Sequence, residues 1–459
     1  MKYFILTLGC QMNKSDSERI SHTIEKMGYT TTDKEEEASL LGIVACSVRQ
    51  KAIDKVYSRI AKWNRMKDKR NLITFVSGCM LPADKEKFLK LFDLVLVPAE
   101  LNSLADMISQ YGVTTPRNTF LNYSELEKEK IFDFWQVLPE YQSSFEAYVP
   151  IQNGCDKFCT FCAVPYTRGR EISRPSMEII SEVKTLMEKG YKSITLLGQN
   201  VNSYGKDKKS DEISFAQLLE EIGKLGNQLN TGCWVYFTSP HPRDMTEDVI
   251  KVISHYSCLA KQIHLPVQSG DEKVLMHMKR NHSIDKYRQI VTAIRNYIPG
   301  ATLFTDIIVG FSGETEEQLE NTRKIMEEFK YNMAFIAKYS PRPGATSSRW
   351  PDDVSNDEKK RRLALLTEEL KKHSFLHNKS LIGKEVKLLV YGKDRKEGYL
   401  TGLTEGKLGV RFPSTDYSLT GQFVHVIIKS ATPFAMEGEI SSSPGNESIK
   451  KYEEKISGF

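Results

Sequence analysis

The run Cys155-Asp156-Lys157-Phe158-Cys159-Thr160-Phe161-Cys162 decides how the rest of this chain is read. Only eight cysteines occur in 459 residues, too few for a disulfide scaffold. Three thiols within eight positions point instead to metal or redox chemistry. The run follows an apolar stretch, Tyr148–Ile151, that reads as a strand and opens a series of alternating strands and helices. Further strands are expected at Ser193–Leu197, Cys233–Phe237, Gln262–Leu265, Thr302–Val309 and Phe335–Tyr339. Helical periodicity intervenes at about Ser176–Lys189, Phe215–Leu225, Asp244–Ser254, Ile284–Tyr297 and Glu314–Phe329. Six such βα units predict a parallel barrel, or an open three-quarter barrel, with its chemistry at the C-terminal strand ends. The cysteine run falls at such an end. A structural zinc site wants four closed ligands. Three thiolates on a [4Fe-4S] cluster would leave one iron open for an exchangeable ligand.

Upstream, residues 1–115 alternate in the same way and predict a parallel α/β domain. Strands are expected at Tyr3–Leu8, Leu40–Val44, Leu72–Val76 and Leu94–Val97, with helices at Asn13–Met27 and Val48–Met66. Cys10, Cys46 and Cys79 then lie just past three successive strands, on the one edge where ligand crevices form in open parallel sheets. The alternative is three buried structural cysteines. Cys233 and Cys258 have no spacing partner and read as core.

Downstream, Lys359–His373 is a charged helix, and beyond it short alternating strands with Gly-rich turns predict a small antiparallel β-barrel over 376–440. Its strands are expected at Glu385–Tyr391, Gly398–Thr401, Gly409–Phe412 and Phe423–Ile428. The region 112–146 reads as a linker and 441–459 as a flexible tail. The whole is an α/β multidomain chain whose barrel domain occupies 141–374. Its length suits about three domains. Lys+Arg is 64 against Asp+Glu 59, so the net charge of +5 excludes a histone-like supercharged chain. No apolar run reaches the ~18–20 residues that cross a bilayer, so a cytoplasmic protein without a membrane partner is expected.

Cys-x-x-x-Cys-x-Phe-Cys resembles the signature of radical S-adenosylmethionine (SAM) enzymes, with Phe161 as the aromatic before the third cysteine. The flanks, from Gln152-Asn153-Gly154 through Pro165-Tyr166-Thr167-Arg168-Gly169-Arg170-Glu171 to Ser173-Arg174-Pro175, resemble the methylthiotransferase family. Gly9-Cys10-Gln11-Met12-Asn13, Cys46-Ser47-Val48-Arg49, Gly78-Cys79, Leu197-Gly198-Gln199-Asn200-Val201-Asn202 and His264-Leu265-Pro266-Val267-Gln268-Ser269-Gly270 extend the likeness. Asp306-Ile307-Ile308-Val309-Gly310-Phe311 belongs to it too, and the similarity runs from residue 1 to about 440. Two places depart from the family pattern: Val44-Ala45 where Asn-Thr is usual, and Ser312 where Pro follows Gly-Phe.

The resemblance implies two [4Fe-4S] clusters, one on Cys155, Cys159 and Cys162 that chelates SAM, and an auxiliary one on Cys10, Cys46 and Cys79. Electron transfer to SAM would yield a 5′-deoxyadenosyl radical. The auxiliary cluster would be the sulfur source, and a second SAM would methylate the sulfur. The implied acceptor is C2 of N6-isopentenyladenosine beside a tRNA anticodon, an unpaired base. Threonylcarbamoylated adenosine in tRNA, or an aspartate of a ribosomal protein, would be other acceptors for the same chemistry. A non-catalytic iron–sulfur RNA-binding regulator is the reading outside enzymes. In the enzymatic reading both clusters must reach one base, so the N-terminal domain should cap the barrel mouth. No catalytic residue is assigned beyond the cluster ligands. Gln199, Ser269 and Gly310, with Phe161, stand where SAM should lie; polar and glycine residues there could also simply serve their loops. The 376–440 barrel resembles the TRAM RNA-binding module. Lys55, Arg59 and Lys62, with Arg49 and Lys51 nearby, recur at helical steps and could bind phosphate, or form a solvated face. A monomer is expected, with an electron donor such as a flavodoxin or ferredoxin, and iron–sulfur assembly proteins as partners.

Overall fold

In the first domain, the central strand Leu40–Cys46 is buried at every position because helices cover both faces of one sheet. The structure is a computed structural model and describes residues 1–47, 50–109, 131, 134–137, 139–208, 211–230 and 232–441. Val48 and Arg49, most of the expected linker and all of the expected tail beyond residue 441 lie outside these. Strands β1 (Lys2–Leu8), β2 (Thr30–Thr31), β3 (Leu40–Cys46), β4 (Ile73–Cys79) and β5 (Leu94–Val95) form a parallel sheet in the order β2-β1-β3-β4-β5. Leu40 and Val44 pack with Ile20 and Ile24 of helix Gln11–Lys26. Leu41, Ile43 and Ala45 face the other way, onto Ile53, Val56, Ile60 and Trp63 of helix Gln50–Lys67. A central parallel strand buried on both faces is the expected result of βαβ crossovers.

The second domain carries β6 (Glu146–Pro150), β7 (Gln152–Asn153), β8 (Ile172–Ser173), β9 (Ser193–Leu197), β10 (Trp234–Phe237), β11 (Gln262–His264), β12 (Thr302–Val309) and β13 (Met333–Lys338). Two parallel three-stranded sheets, β6-β9-β10 and β11-β12-β13, are joined by a parallel bridge between Val235 and Leu259. The six expected barrel strands are all present, and the barrel stays open between β6 and β13. Val149, Ile194, Leu196, Ile263 and Ile307 form its core with the surrounding helices. Cys233 and Cys258 belong to that core, as the sequence suggested.

The charged helix is longer than expected. It runs from Asn356 to Lys379, so the boundary expected at 374–376 falls inside it. Leu366 and Leu370 pack on the barrel, and Asn378 donates to the carbonyls of Thr432 and Pro433 in the last domain. One helix therefore belongs to both neighbours.

That last domain is a closed barrel of β14 (Glu385–Lys393), β15 (Tyr399–Thr404), β16 (Gly409–Pro413), β17 (Phe423–Ala431) and β18 (Met436–Ile440), in the order β14-β15-β16-β18-β17. The fifth strand was not expected; only Met436 supplies it with a deeply buried apolar side chain. The expectation of a wholly antiparallel barrel also needs correcting, because β16 and β18 pair in parallel. A ring with an odd number of strands cannot alternate direction all the way round. This barrel sits under the larger one, at the N-terminal ends of its strands. Trp234 packs edge-on against Phe423 with centroids 4.6 Å apart, Tyr236 Oη donates to the Glu405 carbonyl at 3.0 Å, and Thr302 Oγ1 donates to the Gly406 carbonyl at 2.8 Å. The opposite end is left to the cysteines. Among the described residues no helix is long and apolar enough to cross a membrane.

Candidate active site

The Cys155–Cys162 loop leaves β7, is held in shape by its own turn chemistry, and is tethered on three sides. Phe158 adopts left-handed φ 47°, and the Cys155 amide donates to the Gly169 carbonyl at 3.2 Å. Lys157 Nζ lies 2.6 Å from Asp244 Oδ2, a buried ion pair to the segment after β10. Thr160 donates through its amide to the Met278 carbonyl and through its hydroxyl to the His277 carbonyl. Phe161 packs with Val274, Met278, Phe311 and Tyr339, which anchors the third cysteine's neighbour in the wall of the barrel. Arg280 reaches Cys159 Sγ at 3.5 Å while its other arm donates to the Pro266 carbonyl at 2.8 Å. Burial pushes the thiol of Cys155 up to about 11 and that of Cys162 up to about 12. A coordinated metal reverses that cost, since a ligating thiol is deprotonated outright.

Around the loop stand buried polar atoms without a protein partner: Gln152 Oε1, Glu171 Oε2, Gln199 Oε1, Asn200 Oδ1, His241 Nε2 and His282 Nε2. Buried polar groups are normally satisfied, so such a set at one barrel mouth is what a polar ligand would complete. Burial pushes Glu171 up to about 7, against the hydrogen bond from Ser203. Burial and the adjacent Arg280 charge bring His282 down to about 4 and His241 well below the ordinary histidine range, so both rings are neutral. Asn200 Nδ2 donates to Ser203 Oγ at 2.7 Å and to Asp244 Oδ2 at 3.3 Å, and Lys206 pairs with the other oxygen of Asp244 at 2.7 Å.

The second cysteine set is made by the sheet. Cys46 and Cys79 end β3 and β4 as register partners, one residue earlier than past the strand, and Cys10 caps the helix after β1. Asn13 accepts from Cys10 Sγ at 3.3 Å and donates to the Ala45 carbonyl at 2.9 Å. Gly78 shows why a glycine precedes the cysteine there: its φ is +109°, and a Cβ would stand 2.3 Å from the Ala45 carbonyl oxygen. A hydrogen bond with Cys46, then burial, push the Cys79 thiol well above its ordinary range, while the Arg168 charge pulls it back.

The two sets meet. Arg168 closes the short helix Val164–Arg168 that follows Cys162. Its Nε donates to Cys79 Sγ at 2.9 Å, and its outer nitrogens reach Asn153 Oδ1 at 3.2 Å and the buried carboxylate of Asp16. On the far side of the barrel opening, Gly344, after β13, faces Leu81. The first domain therefore lies across the mouth from β6 to β13. Among the described residues no three His, Cys, Asp or Glu side chains close on a single metal ion. A cluster that spreads its thiolates over separate irons does not require them to.

The other expected contacts fare unevenly. Gln199 presents an orphaned oxygen beside the loop, but Ser269 is fully buried and accepts from the Asp271 amide at 3.2 Å, serving its own loop. Gly310 is accounted for by its φ of +69° and by the Lys359 stem, 2.4 Å from where its Cβ would be. The cationic stripe has acidic neighbours. Arg59 pairs with Glu35 at 2.5 Å, and Lys62 pairs with Glu35 at 2.8 Å and Glu36 at 3.4 Å; of the three, Lys55 alone is left as an exposed cation with no such pair. Acidic residues from a separate turn have spent the charge. Arg168, Glu171 and Asn200 lay within the motif stretches but were not singled out. His241, His282 and Arg280 had no signal, because their loops join the site only in three dimensions.

An open parallel barrel with a three-cysteine loop at its mouth defines a class. Residues 149–326 match the radical SAM superfamily, and residues 2–97 match an uncharacterized protein family, UPF0004. In fold the chain is similar to a radical S-adenosylmethionine methyltransferase, TsrM, from Kitasatospora setae, with TM-score 0.55 and 13% identity over 75% of each chain. It is 36% identical to the tRNA-2-methylthio-N(6)-dimethylallyladenosine synthase of Francisella philomiragia, over 96% of this chain and 99% of that one. The Clostridium botulinum protein of the same name is 39% identical over 95% and 96% of the two chains. The chain belongs to the tRNA-2-methylthio-N(6)-dimethylallyladenosine synthase family.

Proposed function

We propose that this chain attaches a methylthio group to C2 of N6-isopentenyladenosine beside a tRNA anticodon, using SAM as methyl donor and radical source. The observation that carries the proposal is Arg168, whose one guanidinium joins Cys79 of one thiol set to the segment leaving the other. Two cysteine triplets so joined suit a reaction in which radical and sulfur must reach one base. Cys155, Cys159 and Cys162 would hold one [4Fe-4S] cluster, and Cys10, Cys46 and Cys79 a second. Bound there, the clusters and SAM supply the electron, the radical and the sulfur. The chain's part is to hold and orient them. Gln199, Asn200, Glu171 and the neutral His241 and His282 offer acceptors and donors to a ligand, and Phe161 keeps the loop seated. An open groove of about 670 Å³ beside β13, lined by Asp306, Ile308, Met333, Phe335, Ala337 and Phe434, offers apolar surface for an isopentenylated base. The C-terminal barrel, beginning after Lys379, is read as a TRAM module that binds the anticodon stem-loop. A flavodoxin or ferredoxin would deliver electrons in the cytoplasm, and iron–sulfur assembly proteins would load the sites.

The test is anaerobic: reconstitute iron and sulfide, add dithionite, SAM and isopentenylated anticodon stem-loop RNA, and analyse nucleosides by mass. A gain matching methylthio on that adenosine, with 5′-deoxyadenosine formed, is the expected result. SAM cleavage with unmodified RNA would move the acceptor elsewhere. Iron without SAM cleavage would overturn the enzymatic reading.

A further inference from the structure

We propose that Arg168 is a positioning residue for the N-terminal cysteine site: it donates to the Cys79 sulfur and, anchored by Asp16, sets the reduction potential of the cluster held there. The inference rests on the two-cluster reading above.

Three acceptors surround this one guanidinium: Cys79 Sγ at 2.9 Å, Asn153 Oδ1 at 3.2 Å and the carboxylate of Asp16. The Arg168 side chain is 5% exposed and that of Asp16 is 0% exposed. A rigid planar fork meets such an arrangement and a lysine does not. The backbone is held as well, since Asn153 Nδ2 donates to the Arg168 carbonyl at 2.9 Å. Asp16 sits on helix Gln11–Lys26, whose cap is Cys10. The charge pair thus touches the element that carries Cys10, the strand end that carries Cys79 and the segment that follows Cys162. Hydrogen bonds to ligating sulfurs and nearby charge tune the potential of an iron–sulfur centre. A buried cation on one thiolate favours the reduced, more negative state, and the buried carboxylate behind it opposes that.

A bridge that merely fastens two domains makes a different prediction. Breaking it from either end would have the same effect. As a tuning pair, its two members act in opposite directions.

The experiment uses the full chain with Cys155, Cys159 and Cys162 replaced by Ala, so that only the N-terminal site takes iron. Arg168→Gln, Arg168→Lys and Asp16→Asn are made in that background, reconstituted anaerobically, and compared by iron content, electron paramagnetic resonance and redox titration. The parent and each variant should bind about four irons per chain. The midpoint potential should fall in Arg168→Gln and fall less in Arg168→Lys, and it should rise in Asp16→Asn. The reduced-state spectrum should change in step. Potentials that stay with the parent, or that move the same way in Arg168→Gln and Asp16→Asn, overturn the inference while the cluster reading stands. If Arg168→Gln does not fold, the sign of the Asp16→Asn and Arg168→Lys shifts decides. A parent that binds no iron at this site removes the cluster and the inference together.

Discussion

The two cysteine sites are built in opposite ways. One is a loop of eight residues, shaped by its own turns and tied down by Lys157, Thr160 and Phe161. The other exists only because β1, β3 and β4 lie side by side and end together. A loop site concentrates its information in one stretch of chain and can be tethered from outside. A sheet site distributes its information and depends on register and on close backbone approach. The loop should therefore tolerate backbone changes that the sheet does not, and the sheet should tolerate the loss of single side-chain tethers.

The largest effects should come from the thiols themselves, and they should separate the sites. Cys159→Ala is expected to take SAM cleavage to background while RNA binding stays largely intact. Cys46→Ala should spare 5′-deoxyadenosine formation and abolish methylthio transfer. Measuring both products in both variants checks this; equal SAM cleavage in Cys159→Ala would sink the radical mechanism.

Gly78→Ala tests the sheet alone. The new Cβ would meet the Ala45 carbonyl at 2.3 Å in a backbone with φ +109°, at a cost of roughly 2 kcal/mol or more. Reconstituted iron should drop from about eight to about four per chain. Gly28→Ala is the control, with φ +86° and nothing within 4 Å. Equal destabilisation of the two in urea titrations would show that register contact is not what Gly78 protects.

Lys157→Ala tests the loop's tether. Breaking a buried ion pair usually costs about 3–5 kcal/mol. Lys206 still holds the other oxygen of Asp244 at 2.7 Å, so a loss of about 2 kcal/mol is expected. Iron at the N-terminal set should be unchanged. A loss of iron from both sets would mean that the sites do not respond independently.

The smallest effect is a pH dependence on the helix that begins at Cys10. Burial pushes Glu18 up to about 7, partly offset by the Gln142 amide and the Arg19 charge, from an ordinary value of 4.5. The folded state holds this proton more tightly than the unfolded one. Its contribution to stability is therefore full below about 4.5 and is lost as pH rises through about 7. Glu18→Gln should be more stable than the parent above pH 7 and equal to it below pH 4.5. Thermal melts from pH 4 to 8 measure the difference; a gap that does not vary with pH would place Glu18 in its charged form throughout.

The same contrast explains what could be read in advance. Cys155, Cys159 and Cys162 were legible because their spacing is the signal. Cys10, Cys46 and Cys79 were legible only once the alternation of strands had put them on one edge. Gln199 sits in a motif, and its side-chain oxygen is buried without a protein partner. Ser269 and Gly310 sit in motifs as well; Ser269 accepts from the Asp271 amide, and Gly310 takes a positive φ against the Lys359 stem. The stripe of Lys55, Arg59 and Lys62 has the periodicity of a helix face, but periodicity does not show what lies opposite. Glu35 and Glu36, from a different turn, take up two of the three charges.

By itself the sequence determined the longer strands and helices of both α/β domains, the barrel class and the grouping of six thiols, because apolar period and short spacings are properties of neighbouring residues; the short strands β2, β7 and β8 and the helices Pro82–Phe88 and Glu272–His277 were not expected. Only the tertiary structure decided that Arg168 links the two sites, that His241 and His282 stand neutral at the barrel mouth, and that the C-terminal barrel closes through a parallel β16–β18 pair beneath the larger barrel. Each of these depends on which surfaces meet, and the energy of a buried charge, an orphaned polar atom or a closing strand is set by its partner across space.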